Sequence, residues 1–108
     1  MFEIYRNDIS ITRGDSAIFE VTITDKDGNA YTPTHLDKVT FTVKKDTNSN
    51  VIVFQRPVEN GKVIIEPEDT KNLRYGDYVY DVQLVTAGGW VATVIPPHLF
   101  TVSGEVTF

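Results

Sequence analysis

At 108 residues and 12.1 kDa the chain is one domain by size, large enough for a single core and too small for a core plus a deep catalytic cleft. Hydrophobic residues make up 41% of it, which excludes a disordered chain, and a net charge of -5 makes nucleic acid and acidic membrane surfaces poor partners. There is no cysteine, which argues against a disulfide-stapled secreted scaffold and for folding in a reducing cytoplasm.

The opening Met1 to Asp8 carries neither a basic stretch nor an apolar one, so no signal peptide is expected there. The longest apolar run is Val51 to Phe54, far short of the ~18 residues of a membrane span. From Ser16 to Asp25 the pattern has period 2, with Ala17, Phe19, Val21 and Ile23 on one face; Ser, Glu and Thr hold most of the other, and Ile18 interrupts it. That is a strand with one buried face, and Asp27-Gly28 turns it. Val39, Phe41 and Val43 alternate with Thr40, Thr42 and Lys44 in a second such strand. Thr47 to Asn50 is a polar turn, and Val51 to Gln55, with no polar face, reads as a strand covered on both sides. Asn60-Gly61 is the strongest hairpin signal and leads into Lys62 to Glu66. Glu66 to Leu73 places Pro67 and acidic residues where a helix starts, so it is expected to be a single helical turn crossing between sheets.

Asp77 to Val85 is the longest late strand, with Tyr78, Tyr80, Val82 and Leu84 on one face. Ala87-Gly88-Gly89 turns it into Trp90 to Ile95; Pro96-Pro97 is expected to break that strand and to mark a sheet edge; Leu99 to Val102 resumes it, and Val106 to Phe108 closes the chain. About eight short strands and one helical crossover predict an all-β, immunoglobulin-like antiparallel β-sandwich, one domain over residues 1–108. Leu73-x-x-Gly76-x-Tyr78 has the form of a tyrosine corner, in which the phenol reaches back to the main chain across the inter-sheet connection.

No residues assemble into a catalytic, metal or cofactor motif. His35 and His98 sit singly in proline-flanked loops, whereas zinc needs several ligands at set spacing. Asp25-Lys-Asp-Gly-Asn29 has its Gly at the wrong place for a calcium loop and Leu36 where the closing Glu belongs. Arg13-Gly14-Asp15 matches an integrin-recognition tripeptide, but its Gly and Asp have a local task in turning the chain into the strand at Ser16. Glu66, Glu68 and Asp69 read as a solvated acidic face. The candidate interaction residues are Gly88, Gly89 and Trp90 at the last hairpin, and Ile95, Pro96, Pro97 and His98 along the proline edge. Trp90 either caps the core or stands out as an anchor; the residues alone leave both open.

Ile11-x-x-Gly14-Asp15-x-Ala17-x-Phe19-x-Val21-x-Ile23-x-Asp25, then Val39-Thr-Phe-Thr-Val-Lys-Lys45, resembles the first half of the small immunoglobulin-like domains of tailed-phage structural proteins, such as the N-terminal domain of siphophage baseplate upper proteins. Asp69-Thr70-x-x-Leu73-x-x-Gly76-x-Tyr78-x-Tyr80-Asp81-Val82-Gln83-Leu84 is similar to the second half, and Thr93 to Ile95, Phe100 to Val102 and Glu105 to Thr107 to the closing strands. Proteins of that kind continue into a further region where this chain stops at Phe108, so it reads as a stand-alone virion protein or as one domain of a larger one. The resemblance implies a non-enzymatic module of a phage or prophage virion, in tail, baseplate or neck, made in the bacterial host cytoplasm. Its partners would be other virion proteins or a second copy of itself, with no cofactor, nucleic acid or membrane. The alternative is a bacterial surface or secreted immunoglobulin-like domain that binds carbohydrate or a host protein; a loop-tip protease inhibitor, for which only Arg56-Pro57-Val58 speaks, ranks last.

Overall fold

The computed structural model describes residues 2–5, 7–24 and 27–104. Its elements are β1 (Phe2–Tyr5), β2 (Asp8–Thr12), β3 (Ala17–Glu20), β4 (Lys38–Lys44), β5 (Ile52–Pro57), β6 (Lys62–Ile65), α1 (Pro67–Thr70), β7 (Gly76–Val85) and β8 (Val91–Ser103). A six-stranded sheet in the order β1-β2-β8-β7-β4-β5 faces a two-stranded sheet of β3 and β6. All pairings are antiparallel except β2 with β8, which run parallel. The chain is a β-sandwich.

The alternating residues meet between the sheets. Ala17, Phe19, Val63 and Ile65 come from the small sheet, and Ile9, Ile11, Val39, Phe41, Val43, Tyr78, Tyr80, Val82, Leu84, Phe100 and Val102 from the large one. Phe41 is the hub, with ring centroids 5.4 Å from Phe19, 5.0 Å from Tyr80 and 6.1 Å from Phe100.

Several sequence expectations hold in detail. Asn60 and Gly61 both take positive φ (53° and 73°), as a type I′ hairpin requires, while Glu59 and Lys62 exchange two main-chain hydrogen bonds of 3.0 Å. The crossover α1 is capped reciprocally by Glu66 and Asp69. It carries the chain from the small sheet to the large one. The Tyr78 hydroxyl donates to the Arg74 carbonyl at 2.9 Å, which is the tyrosine corner.

Others are corrected. β3 ends at Glu20, because β6 reaches only Lys62 before the hairpin turns; beyond it Val21 donates one main-chain bond to Gly61 at 2.7 Å, and Val21 and Ile23 stay buried outside the ladder. The strand beginning at Val51 runs from Ile52 to Pro57 and is a sheet edge, not a strand covered on both faces; Ile52 is exposed. Pro96-Pro97 does not break β8, which runs through it. Tyr80 pairs with His98 and Val82 with Ile95, so the two prolines bulge out opposite Asp81 and need no ladder N–H there. Ile9 and Ile11 of β2 are buried and pair with Phe100 and Val102 of β8, a parallel pairing that alternation along the chain does not signal. The expected strand Val106 to Phe108 and the turn residue Asp25 lie outside the described residues.

Candidate functional site

One end of the sandwich is assembled by the β7–β8 hairpin. Thr86 closes it: its main-chain N–H donates to the Trp90 carbonyl at 2.9 Å, its carbonyl accepts from Gly89 at 2.9 Å, and its hydroxyl accepts from the Trp90 N–H at 3.1 Å. Gly89 takes φ 86°, a left-handed conformation that a side chain would strain. The turn therefore holds Trp90 out; its side chain is 74% exposed and does not cap the core. Val91 beside it is 57% exposed.

A second loop is tied to this hairpin by Asp37. One carboxylate oxygen accepts from the Tyr31 hydroxyl at 2.7 Å and the Thr34 N–H at 3.0 Å; the other accepts from the Ala87 N–H at 3.2 Å. The Tyr31 hydrogen bond, foremost, holds the Asp37 carboxyl below its ordinary range, and the same bond raises the Tyr31 phenol. Leu36, next to Asp37, is 64% exposed. Tyr31, Leu36, Trp90 and Val91 thus share one end of the molecule. Of these, sequence reasoning singled out only Trp90; the tie from Asp37 to this hairpin was not readable, because Ala87 is fifty residues away, although Tyr31 and Thr34 are near it in the chain.

β8 divides into two halves. β2 pairs with Phe100 to Ser103 only, so among the described residues Val91 to His98 has β7 as its single strand neighbour. Asp8 marks the junction by accepting from the Leu99 N–H at 3.1 Å. The proline edge is thus a local one, half of an otherwise central strand. Ile95 is half-buried against the core, Pro96 and Pro97 are exposed, and His98 turns its Nδ1–H onto the Pro96 carbonyl at 2.5 Å. Gly88 and Gly89 lie with Trp90 at the hairpin, at the far end of this edge from His98.

The outer face of the large sheet carries a shallow pocket of about 200 Å³, lined in part by Thr42, Lys44, Gln55, Asp81, Gln83 and Pro97. Asp81 lines it opposite the proline bulge, and burial pushes its carboxyl up against the weaker pull of Lys44. Sequence reasoning missed it, since an outward Asp on an alternating strand looks like ordinary surface.

The remaining candidates have structural work. Arg13 stacks over the Tyr75 ring at 4.4 Å, and the Gly14 N–H donates to the buried Thr70 hydroxyl at 2.8 Å, so this tripeptide joins the β2–β3 turn to the crossover. Asp69 takes a two-pronged hydrogen bond from Arg56, both contacts 2.8 Å, and Glu68 lies 4.0 Å from the same guanidinium. His35 is an exposed loop residue. Among the described residues no group of three or more His, Cys, Asp or Glu could hold a metal ion. No protein-family model matches the chain, and no curated protein matches it.

Proposed function

We propose that this chain is a non-enzymatic interaction module of a phage or prophage virion, in tail, baseplate or neck, working by protein–protein contact. The observation that carries the contact reading is Trp90, an exposed tryptophan fixed at a hairpin tip beside an open strand edge. Large aromatics held out at low conformational cost dominate interface energetics, and the open edge from Val91 to Ile95, ahead of the two prolines, offers main-chain groups to a partner strand. Leu36 and Tyr31, tied to the same hairpin through Asp37, widen that surface. The virion setting rests on the resemblance of Ile11 to Asp25 and Asp69 to Leu84 to tailed-phage immunoglobulin-like domains. In that setting the partner is another virion protein or a second copy, and the protein is made in the host cytoplasm before assembly.

Light scattering over a concentration series tests this first. A defined oligomer that Trp90→Ala dissolves, with the melting temperature unchanged, supports the reading. A strict monomer at every concentration, unaffected by Trp90→Ala, removes self-association and leaves a different virion protein as the partner. Unfolding by Trp90→Ala would place that ring in the core and end the site assignment.

A further inference from the structure

The pocket around Asp81 is a second, chemically different site. A row of outward side chains crosses the large sheet there: Gln55 on β5 pairs with Thr42 on β4, Thr42 pairs with Asp81 on β7, and the Pro96-Pro97 bulge of β8 stands beyond Asp81. Gln55 Nε2 donates to Thr42 Oγ1 at 3.0 Å, leaving the threonine O–H as a donor towards the pocket. The Asp81 carboxylate receives no hydrogen bond or ion pair among the described residues, although the side chain is half-buried. A carboxylate so placed costs the fold stability that an amide would not, and unrepaid costs of this kind concentrate where a protein binds something. Bulges likewise gather beside binding sites, where they re-aim neighbouring side chains.

The lining selects the ligand. Lys44 opposes a cation entering beside Asp81, while Asp81 and Asp46 oppose an anion. What remains is a neutral group with many hydroxyls: a vicinal pair can donate to the two Asp81 oxygens, Lys44 and Thr42 can donate in return, and the Gln55 and Gln83 amides can do either. Val79, Ile52 and Pro97 provide apolar contact for the C–H face of a ring. At ~30 Å³ per water, the pocket's 200 Å³ holds the volume of roughly six or seven waters, the scale of one sugar ring. The geometry points to a binding site for a single neutral sugar residue, free or at the end of a glycan, centred on Asp81. It is independent of the assembly surface at Trp90, and failure of either leaves the other standing.

The test is an amide NMR titration of the whole chain with glucose, galactose, mannose and N-acetylglucosamine in turn. At least one is expected to give saturable shifts at Thr42, Val79, Asp81 and Gln83, with an affinity near ~1 mM, typical of a shallow site. Asp81→Asn removes one hydroxyl acceptor and should weaken binding at least about tenfold, the factor that a lost charge-assisted hydrogen bond produces. Gln83→Ala, on the exposed rim, should weaken it less while the amide spectrum otherwise stays native. No saturable shift with any of the four sugars, saturation mapped elsewhere, or wild-type binding by Asp81→Asn and Gln83→Ala would each overturn the proposal. So would loss of partner assembly in Asp81→Asn without any sugar binding, which would make the pocket a protein contact.

Discussion

Phe41 is fully buried, and the rings of Phe19, Phe54, Tyr80 and Phe100 surround it. Phe41→Ala is expected to cost ~3–5 kcal/mol, read as a lower urea midpoint, because five strands cannot collapse onto the hole it leaves. Thr70 poses a subtler case. It is fully buried, and its hydroxyl is the acceptor for the Gly14 N–H. Thr70→Val keeps the shape and removes the acceptor, so a loss of ~1–3 kcal/mol is expected; Thr70→Ser, which keeps it, should cost less. Equal losses in the two variants would mean that packing, and not this bond, fixes the crossover. Residues such as Tyr78 and Asn60 were legible in the sequence because their task is set by neighbours within four positions: the Arg74 carbonyl for one, the turn with Gly61 for the other. Thr70 and Asp81 were not, since each owes its role to residues distant along the chain that only the fold brings near; for Asp37 the same holds of its bond to Ala87, though not of those to Tyr31 and Thr34.

Strand faces were readable and strand partners were not. Alternation told which side of β4 and β7 is buried, down to Val82 and Phe41 with no exposure. It could not tell that β2 runs parallel to β8, or that β8 is central from Phe100 onwards and an edge before it. The proline pair belongs at this boundary. On an open half-strand, every ladder N–H is an invitation to a stray strand, and Pro96-Pro97 supplies neither an N–H nor a flat edge. Replacing both, Pro96→Thr with Pro97→Thr, should leave the sandwich folded and make it self-associate or aggregate through β8. Light scattering that stays at the wild-type mass after both replacements would show that the edge is protected by something else, such as the bulge geometry itself. On the opposite side of the sandwich, Arg56 of the edge strand β5 grips Asp69 of the crossover. The same Asp69 accepts the Glu66 N–H at 2.8 Å to cap α1. Asp69→Ala removes cap and ion pair together, and a loss of ~1–2 kcal/mol or more is expected in thermal unfolding.

For the molecule as a whole, two outward carboxylates pull its acid response in opposite directions. Asp37 is lowered from an ordinary value of 3.8 and Asp81 is raised from the same value. Because Asp37 binds its proton more weakly in the folded chain, the stability it lends is present above the ordinary value and is lost as pH falls through its lower folded value. Asp81 binds its proton more tightly in the folded chain, so its contribution is best below the ordinary value and declines as pH rises through the raised one. Asp37→Asn should therefore melt below wild type at neutral pH, with the gap closing only in strong acid, below 3.8. Asp81→Asn should melt at or slightly above wild type at neutral pH, by ~0.5 kcal/mol or less as befits a surface position, with that gain vanishing on acidification to below 3.8. Thermal melts of the three proteins from about pH 2 to 7 separate the two effects, since acid unfolding is the sum of such shifts. If both variants track wild type at all pH values, the Asp37 clamp does not order the Trp90 end and Asp81 is well solvated. If only Asp81→Asn is more stable, that end is packed without its clamp, yet Asp81 still weakens the fold at neutral pH, the cost that a sugar bound in its pocket would offset.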